Sequence, residues 1–503
     1  MPTQNLNFGG GAADTAVSPI ILAIVLVAGV LICIVPRRKA IAVFLSVGIL
    51  VPLEQVFVFS GMHFPMPRLL AVFGLARLAW TKISGKDTIF SGGINGIDWA
   101  FMVMTVFTLI DGVLLWRSQA EFIYQAGNLI MALGVYLLAR HLIQEWDDVR
   151  QALKVLAFVT VPIAALMVYE CSTGTNPYYA LIGGAQNFST ALDRAGGIRA
   201  RGVFAHPILA GTFGGFMLPL FIGWWWKDKE FRKRATLGVA SAAIIPFLAG
   251  SSTALFALLG GVGALCLWPM RRMMKPIRWG VVAFLVAAQM CMKSPVWHLI
   301  SDVSLSGDSS SYHRYMLVDQ CIRHFWSWSL IGTTTFASWG WDMWDLSNQY
   351  VGVADTSGLV PLIALIAIIV YGFKYVGRMR KQIEGNDKEE WFIWAMGASL
   401  FANFVAFWGI SYFDQTIVPW YALLAIISTM TLAARKPAEE RAKSPAGVPA
   451  AQSIRPATGL AKYGLALAAP KIRATGRSVA GPAAKDTPGK NWMLEPRETS
   501  RRP

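Results

Sequence analysis

Stretches of about 18 or more residues with few or no charges recur along this chain, and they limit its fold more than any other feature. Wound as a helix, such a run crosses a hydrocarbon core roughly 30 Å thick. Backbone polar groups find no water in lipid, so only helices and closed barrels can span it. Barrel strands would alternate apolar and polar residues, and these runs show no period of two. The expected fold class is therefore all-α: a polytopic transmembrane helical bundle of about 12–13 spans with two long periplasmic segments. Composition agrees, since 15% of the 503 residues are charged and 55% hydrophobic, against roughly 25% charged in soluble domains.

The length criterion places spans near residues 16–35, 40–59, 66–80, 98–116, 121–141, 150–171, 207–226, 235–250, 253–268, 279–292, 357–375, 391–410 and 416–433. The third, eighth, ninth and tenth are short. Cytoplasmic loops should carry the Lys/Arg excess. The basic connectors are Arg37-Arg38-Lys39, Lys82/Lys86, 140–154, 227–234, 271–278 and 374–388. With these spans, all of them fall on the side of the basic C-terminal tail. The expected placement is the bacterial inner membrane, with the N-terminus periplasmic and the C-terminus cytoplasmic. The first fifteen residues hold no Lys or Arg, so a cleavable signal peptide is not expected. Residues 172–206 and 293–356 are then left outside, and connections this long are usually functional or disordered. In the second, residues 311–328 read as a helix that Ser309–Ser311 could cap. No internal repeat stands out, which disfavours inverted-repeat transporters.

Net charge is +16, but residues 435–503 alone hold 14 Lys/Arg against 5 Asp/Glu. That tail has no apolar periodicity and is expected to be disordered. A basic tail beside anionic lipid needs no nucleic acid to explain it, and no basic-aromatic module is present. Cys33, Cys171, Cys266, Cys291 and Cys321 show no CxxC spacing, so neither a metal set nor a disulfide framework is expected. No GxxxxGK[ST] motif occurs, which argues against nucleotide-driven transport.

Chemistry should therefore sit in the two outer segments. The first ends in DRAGGIRARGVFAHPILAG, where Arg194, Arg199 and Arg201 precede a helix opening at Pro207. Guanidinium forks and helix N-terminal amides suit phosphate oxygens; alternatively these arginines anchor the loop to headgroups. The second carries Tyr312, His313 and Arg314, with Asp319 and Arg323 further along, a pattern that also fits a salt-bridged helix face. Trp326, Trp328, Trp339, Trp341 and Trp344 suit either an interfacial belt or sugar rings. Within the spans, Glu54, Asp111 and Arg77 need partners or water, and a transporter reading would use them as gates.

The segment RARGVFAHPILAGTFGGFMLPLF resembles the opening of the domain shared by the O-antigen ligase and O-antigen polymerase family. The stretch SSYHRYMLVDQCIRHFWSWSLIGTTTFASWGWDMWDLSNQYVGVADTSGLVPLI resembles its second half: an arginine-bearing outer helix, an Asn-x-Tyr element and a Gly-Leu opening the next span. The likeness covers about residues 196–412. It implies N-terminal spans over 1–195, a core over 196–412 with the periplasmic loop 293–356, and a last span over 413–434. It also implies metal-independent, cofactor-free glycosyl transfer on the periplasmic face from an undecaprenyl-pyrophosphate-linked glycan. Arg199, Arg201 and Arg314 would bind pyrophosphate, and Asn348 and Tyr350 would line the acceptor side. His313 and Asp355 are the candidate catalytic pair, with His206 and Asp345 as further possible bases. Implied partners are the lipid bilayer, a chain-length regulator and a flippase.

The ligases of the family carry His-Asn where this chain has Ser347-Asn348, and serine cannot accept a proton near neutral pH as histidine can. That departure shifts the expectation from ligase to polymerase of O-antigen or exopolysaccharide repeats. The first outer loop, residues 60–65, also lacks the Asp or Glu that many other multi-span lipid-linked glycosyltransferases carry there.

Overall fold

The computed structural model describes residues 16–52, 55–59, 62–85, 89–182, 192–194, 197–302 and 310–443. It is mostly helical, and proline, glycine and capping side chains set the helix ends. Helix α1 (Pro19–Ile34) begins on a proline and stops before Pro36, where α2 (Arg37–Leu50) starts. The β-branched and aromatic run after Pro52 then forms a hairpin, β1 (Val56–Phe59) with β2 (Met62–Pro65). The apolar stretch 40–59 is therefore a helix followed by a strand rather than one long helix. Helix α3 (Met66–Ser84) follows.

Helix α4 (Gly96–Trp116) opens on a reciprocal cap: Asn95 accepts from the Ile97 and Asp98 amides, and Asp98 accepts from the Asn95 amide. Such a cap satisfies two donors that the first turn would leave unbonded. Helices α5 (Gln119–Leu142), α6 (Trp146–Thr173) and α7 (Pro177–Ile182) lead to a short hairpin, β3 (Leu192–Arg194) with β4 (Gly197–Arg199). Next come α8 (Pro207–Lys227), α9 (Arg232–Leu248), α10 (Ser252–Cys266) and α11 (Met274–Cys291). The second long segment contains α12 (Leu299–Asp302), α13 (Ser310–Arg323), α14 (Phe325–Trp328) and α15 (Gln349–Ser357). Helices α16 (Leu359–Gln382), α17 (Asp387–Ala406) and α18 (Ile417–Lys443) complete the described chain.

Apart from 40–59, each expected span falls on a helix, with boundaries shifted by a few residues. Among the described residues, α4, α5, α6, α8 and α16 are long and apolar enough to cross a membrane. The count reaches six if α10 and residues 268–291, bent by 76° at their break, form one broken span. The apolar runs 253–268 and 279–292 predict two spans here. Helix α18 continues past Arg435 to Lys443, so the expected tail begins as helix. Residues 444–503, Glu54, Lys86 and Ser309 lie outside the described residues.

Helix α8 is the hub. It carries little polarity contrast around its circumference, and 83% of its most apolar window is buried inside the protein. Glycines bring its neighbours close: a Cβ on Gly211 would fall 2.3 Å from Ala254 of α10, and one on Gly223 would fall 2.4 Å from Ala395 of α17. On Gly214 it would meet Ile245 of α9 at 2.8 Å. Small residues at such contacts allow the close backbone approach on which helix packing in lipid depends.

Charge is sorted to opposite ends of the same helices. At the start of α6, Arg37 and Arg38 pair with Glu145, Asp147 and Asp148, and Arg150 meets Asp228 beyond α8 at 2.8 Å. Arg271 meets Glu390 near the start of α17 at 3.1 Å. At the other end of α6 lies Glu170, beside Arg201. The two long segments gather at that second end.

Candidate functional site

Four stretches meet there: residues 197–206, the α9–α10 turn, residues 345–350 and the α17–α18 connection. The Ala200 amide donates to Leu248 O, the Ala205 amide to Asp414 Oδ2, and the Gln349 amide to Phe407 O. Thr253, just inside α10, donates through its hydroxyl to Gly409 O at 3.3 Å. Buried polar groups settled in this way give a fixed frame.

A cavity of about 310 Å³ opens in this frame, lined by Thr253, Phe256, Ile300, Ser311, Trp408 and Gly409, with Arg314 as its cation. Ser311 and Arg314 share a face of α13 because helical neighbours recur at three and four residues. That volume is at the lower end of ligand sites, which run from about 300 to 1,000 Å³.

The other two arginines are placed differently. Arg199 donates from Nε to Ala249 O at 3.2 Å, and its stem packs on Gly250. Only residues 250–253 separate that contact from the cavity wall at Thr253, a reach of about 10 Å of extended chain. Arg201 is 3% exposed, with its Nε 3.9 Å from Glu170 Oε1. Oxygen Oε2 of the same carboxylate accepts the amides of Arg201 and Gly202 at 3.0 and 2.9 Å. Arg201 thus holds the loop, and Arg314 is the arginine that faces the cavity. The Arg194 side chain lies outside the described residues.

Asn348 is fully buried and caps α15, accepting from the Tyr350 and Val351 amides at 3.0 and 3.1 Å. Its amide donates to Trp408 O. Tyr350 packs against Phe404, Phe407 and Trp408, and its hydroxyl reaches Phe404 O at 3.4 Å. The Asn-x-Tyr element thus joins the second segment to the end of α17 and shapes the cavity through Trp408.

His313 and Asp355 are not neighbours of the same groups. His313 Nε2 lies 2.9 Å from Asp342 O. Burial pushes the Asp355 carboxyl up to about 7, and it sits beside Cys321, two turns along α13 from Arg314. Asp345 reaches the same Asp342 oxygen through its amide, at 3.2 Å; partial burial raises its carboxyl, and the charge of His313 pulls it back. In the sequence Asp345 is one of several possible bases, and its spacing gives no sign of the turn that brings it to α13. His206 serves as the N-cap of α8, its Nδ1 accepting from the Ile208 amide.

The expected helix over residues 311–328 breaks at His324. Trp328 turns inward and donates to Cys321 O at 2.7 Å, and Trp339 stacks on His324 at 4.2 Å. Trp326, Trp341 and Trp344 face outward, at 88%, 83% and 55% exposure. Asp319, expected with Arg323, does pair with it at 2.6 Å and also accepts from Trp297. Within the helices, Arg77 donates to Ile32 O and Val35 O at the end of α1, and Asp111 is buried in α4.

The class this fold defines is a helical protein with several helices long and apolar enough to cross a bilayer, carrying a largely apolar cavity that holds one arginine. Comparison with known protein families and with curated proteins finds no match.

Proposed function

We propose that this chain is a multi-pass inner-membrane glycosyltransferase that polymerises lipid-linked polysaccharide repeats on the periplasmic face. The observation that carries the reading is Arg314, set in a cavity at the end of the bundle opposite the basic loops. A cation in a largely apolar cleft suits an anion attached to a lipid, and undecaprenyl pyrophosphate is such a donor. The chemistry asks little else of the protein. The anomeric carbon already bears a good leaving group, so positioning and charge stabilisation are the main demands.

In the proposed step, an acceptor hydroxyl loses its proton to His313 and its oxygen forms the new bond to the anomeric carbon. The bond from that carbon to the pyrophosphate oxygen breaks. Its electron pair leaves on the polyprenyl pyrophosphate, where Arg314 stabilises the charge. Arg199 flanks the site, and Arg201 and Asn348 support it. Ser347 in place of the ligases' histidine favours a growing lipid-linked chain as the transferred group and the next lipid-linked repeat as acceptor. O-antigen and exopolysaccharide repeats both fit, and a flippase and a chain-length regulator would act beside the enzyme.

The test is Arg314→Ala, with its membrane level checked and glycan length read on gels. Loss of long-chain polymer is expected. Unchanged polymer would remove the site. Deleting the chain separates the enzyme readings: single repeats on the carrier mark a polymerase, whereas full-length polymer on the carrier marks a ligase.

A further inference from the structure

An imidazole acts as a base only through the ring nitrogen that carries a lone pair, so its tautomer decides which nitrogen is usable. His313 Nε2 sits 2.9 Å from Asp342 O. A carbonyl oxygen has no hydrogen to give, so Nε2 donates and the lone pair falls on Nδ1. The same oxygen accepts the amide of Asp345 at 3.2 Å, and the Ser347 amide closes the turn on Asp345 O at 2.9 Å. Histidine and carboxylate-bearing turn are thereby tied to one atom.

Asp342 reaches this position with φ at 60°, a left-handed conformation that Asp tolerates better than most residues. Such a conformation persists where the surroundings over-determine it, and it is concentrated at functional sites. Among the described residues, the charged groups acting on the Asp345 carboxyl are His313, Asp342 and Arg314. Other polar groups packed on α13 lie elsewhere along it: His298 meets Tyr315, Asp319 holds Trp297 and Arg323, and the charge of Asp355 acts on Cys321.

The geometry points to Asp342 and Asp345 as positioning residues for His313. The Asp342 carbonyl fixes the tautomer that leaves Nδ1 basic, and the Asp345 carboxylate balances the imidazolium formed when Nδ1 takes the acceptor proton. The inference rests on the glycosyl-transfer reading and deepens it. It moves the basic group from position 347, where the ligases carry it, to an outer helix held by a turn that ends at that position.

The experiment uses the full chain in proteoliposomes with a polyprenyl-pyrophosphate-linked repeat as donor and acceptor, and follows kcat and KM. Asp345→Asn removes the carboxylate charge that balances an imidazolium formed in the transition state. kcat falls by about tenfold, and KM stays within about twofold, as for an interaction made mainly in the transition state. Asp345→Glu restores much of kcat. Asp345→Ser gives the same answer if the amide variant does not accumulate. His313→Gln keeps a donor toward Asp342 but no base, and loses about 10²–10⁴ in kcat. A kcat for the Asp345→Asn and Asp345→Ser variants equal to the parent's would overturn the positioning role while leaving glycosyl transfer intact. No transfer by the parent protein would overturn both readings.

Discussion

At the scale of single residues, the buried polar groups at the site end are committed to fixing the backbone. Glu170 is fully buried and takes two consecutive amides on one oxygen. Glu170→Ala leaves both donors without their acceptor, a loss of about 3 kcal/mol. Glu170→Gln should cost less, because an amide oxygen still accepts from the two N–H groups. Thermal unfolding in detergent compares them. Asn348→Ala removes the α15 cap and should cost about 1–2 kcal/mol. Asp355 gives a pH dependence of known sign. Burial raises its carboxyl to about 7 in the folded chain, against about 3.9 unfolded. Between those values the folded state holds a proton that the unfolded state has released. Stability is therefore greatest below about 4 and falls as pH rises toward 7. Asp355→Asn should flatten that slope in unfolding curves recorded across the range.

At the scale of elements, the hinge between the second segment and α16 is tightly specified. Gly332 and Gly358 take φ of 86° and 77°, and a Cβ on Gly332 would fall 2.3 Å from Asp355 O. Gly332→Ala must displace backbone, and should expose the 310–357 segment to limited proteolysis before the helices are affected. The helices themselves were legible in the sequence, because long apolar runs bounded by Pro, Gly and capping residues leave little choice. The hairpin after Pro52 was less so, since an apolar run reads alike as buried strand or helix end. The site was legible in part. Arg314 was found through its place on an outer helix, but nothing local showed that Arg201 would be taken up by Glu170, about thirty residues earlier. Nor did spacing along the chain reveal that the Asp342 carbonyl would reach back to His313.

At the scale of the whole molecule, the sorting of charge predicts an orientation that labelling can test. Ala337 and Glu384 are both exposed, and they lie on opposite sides in the proposed topology. With the five native cysteines replaced by serine, a membrane-impermeant maleimide added to spheroplasts should label Ala337→Cys and spare Glu384→Cys until the membrane is permeabilised. The reverse pattern would turn the site toward the cytoplasm and remove the lipid-linked donor with it.

The enclosure of α8 has a consequence for biogenesis. Its glycine-bearing surface is covered by α9 and α10, which follow within a few dozen residues, and by α17, which is made much later. A nascent chain therefore carries an uncovered seam through most of its synthesis, and the last third of the polypeptide closes it. Chains cut short before residue 387 would display that seam to membrane quality control. They should be cleared faster than chains cut after residue 443, a difference that pulse-chase turnover would read directly.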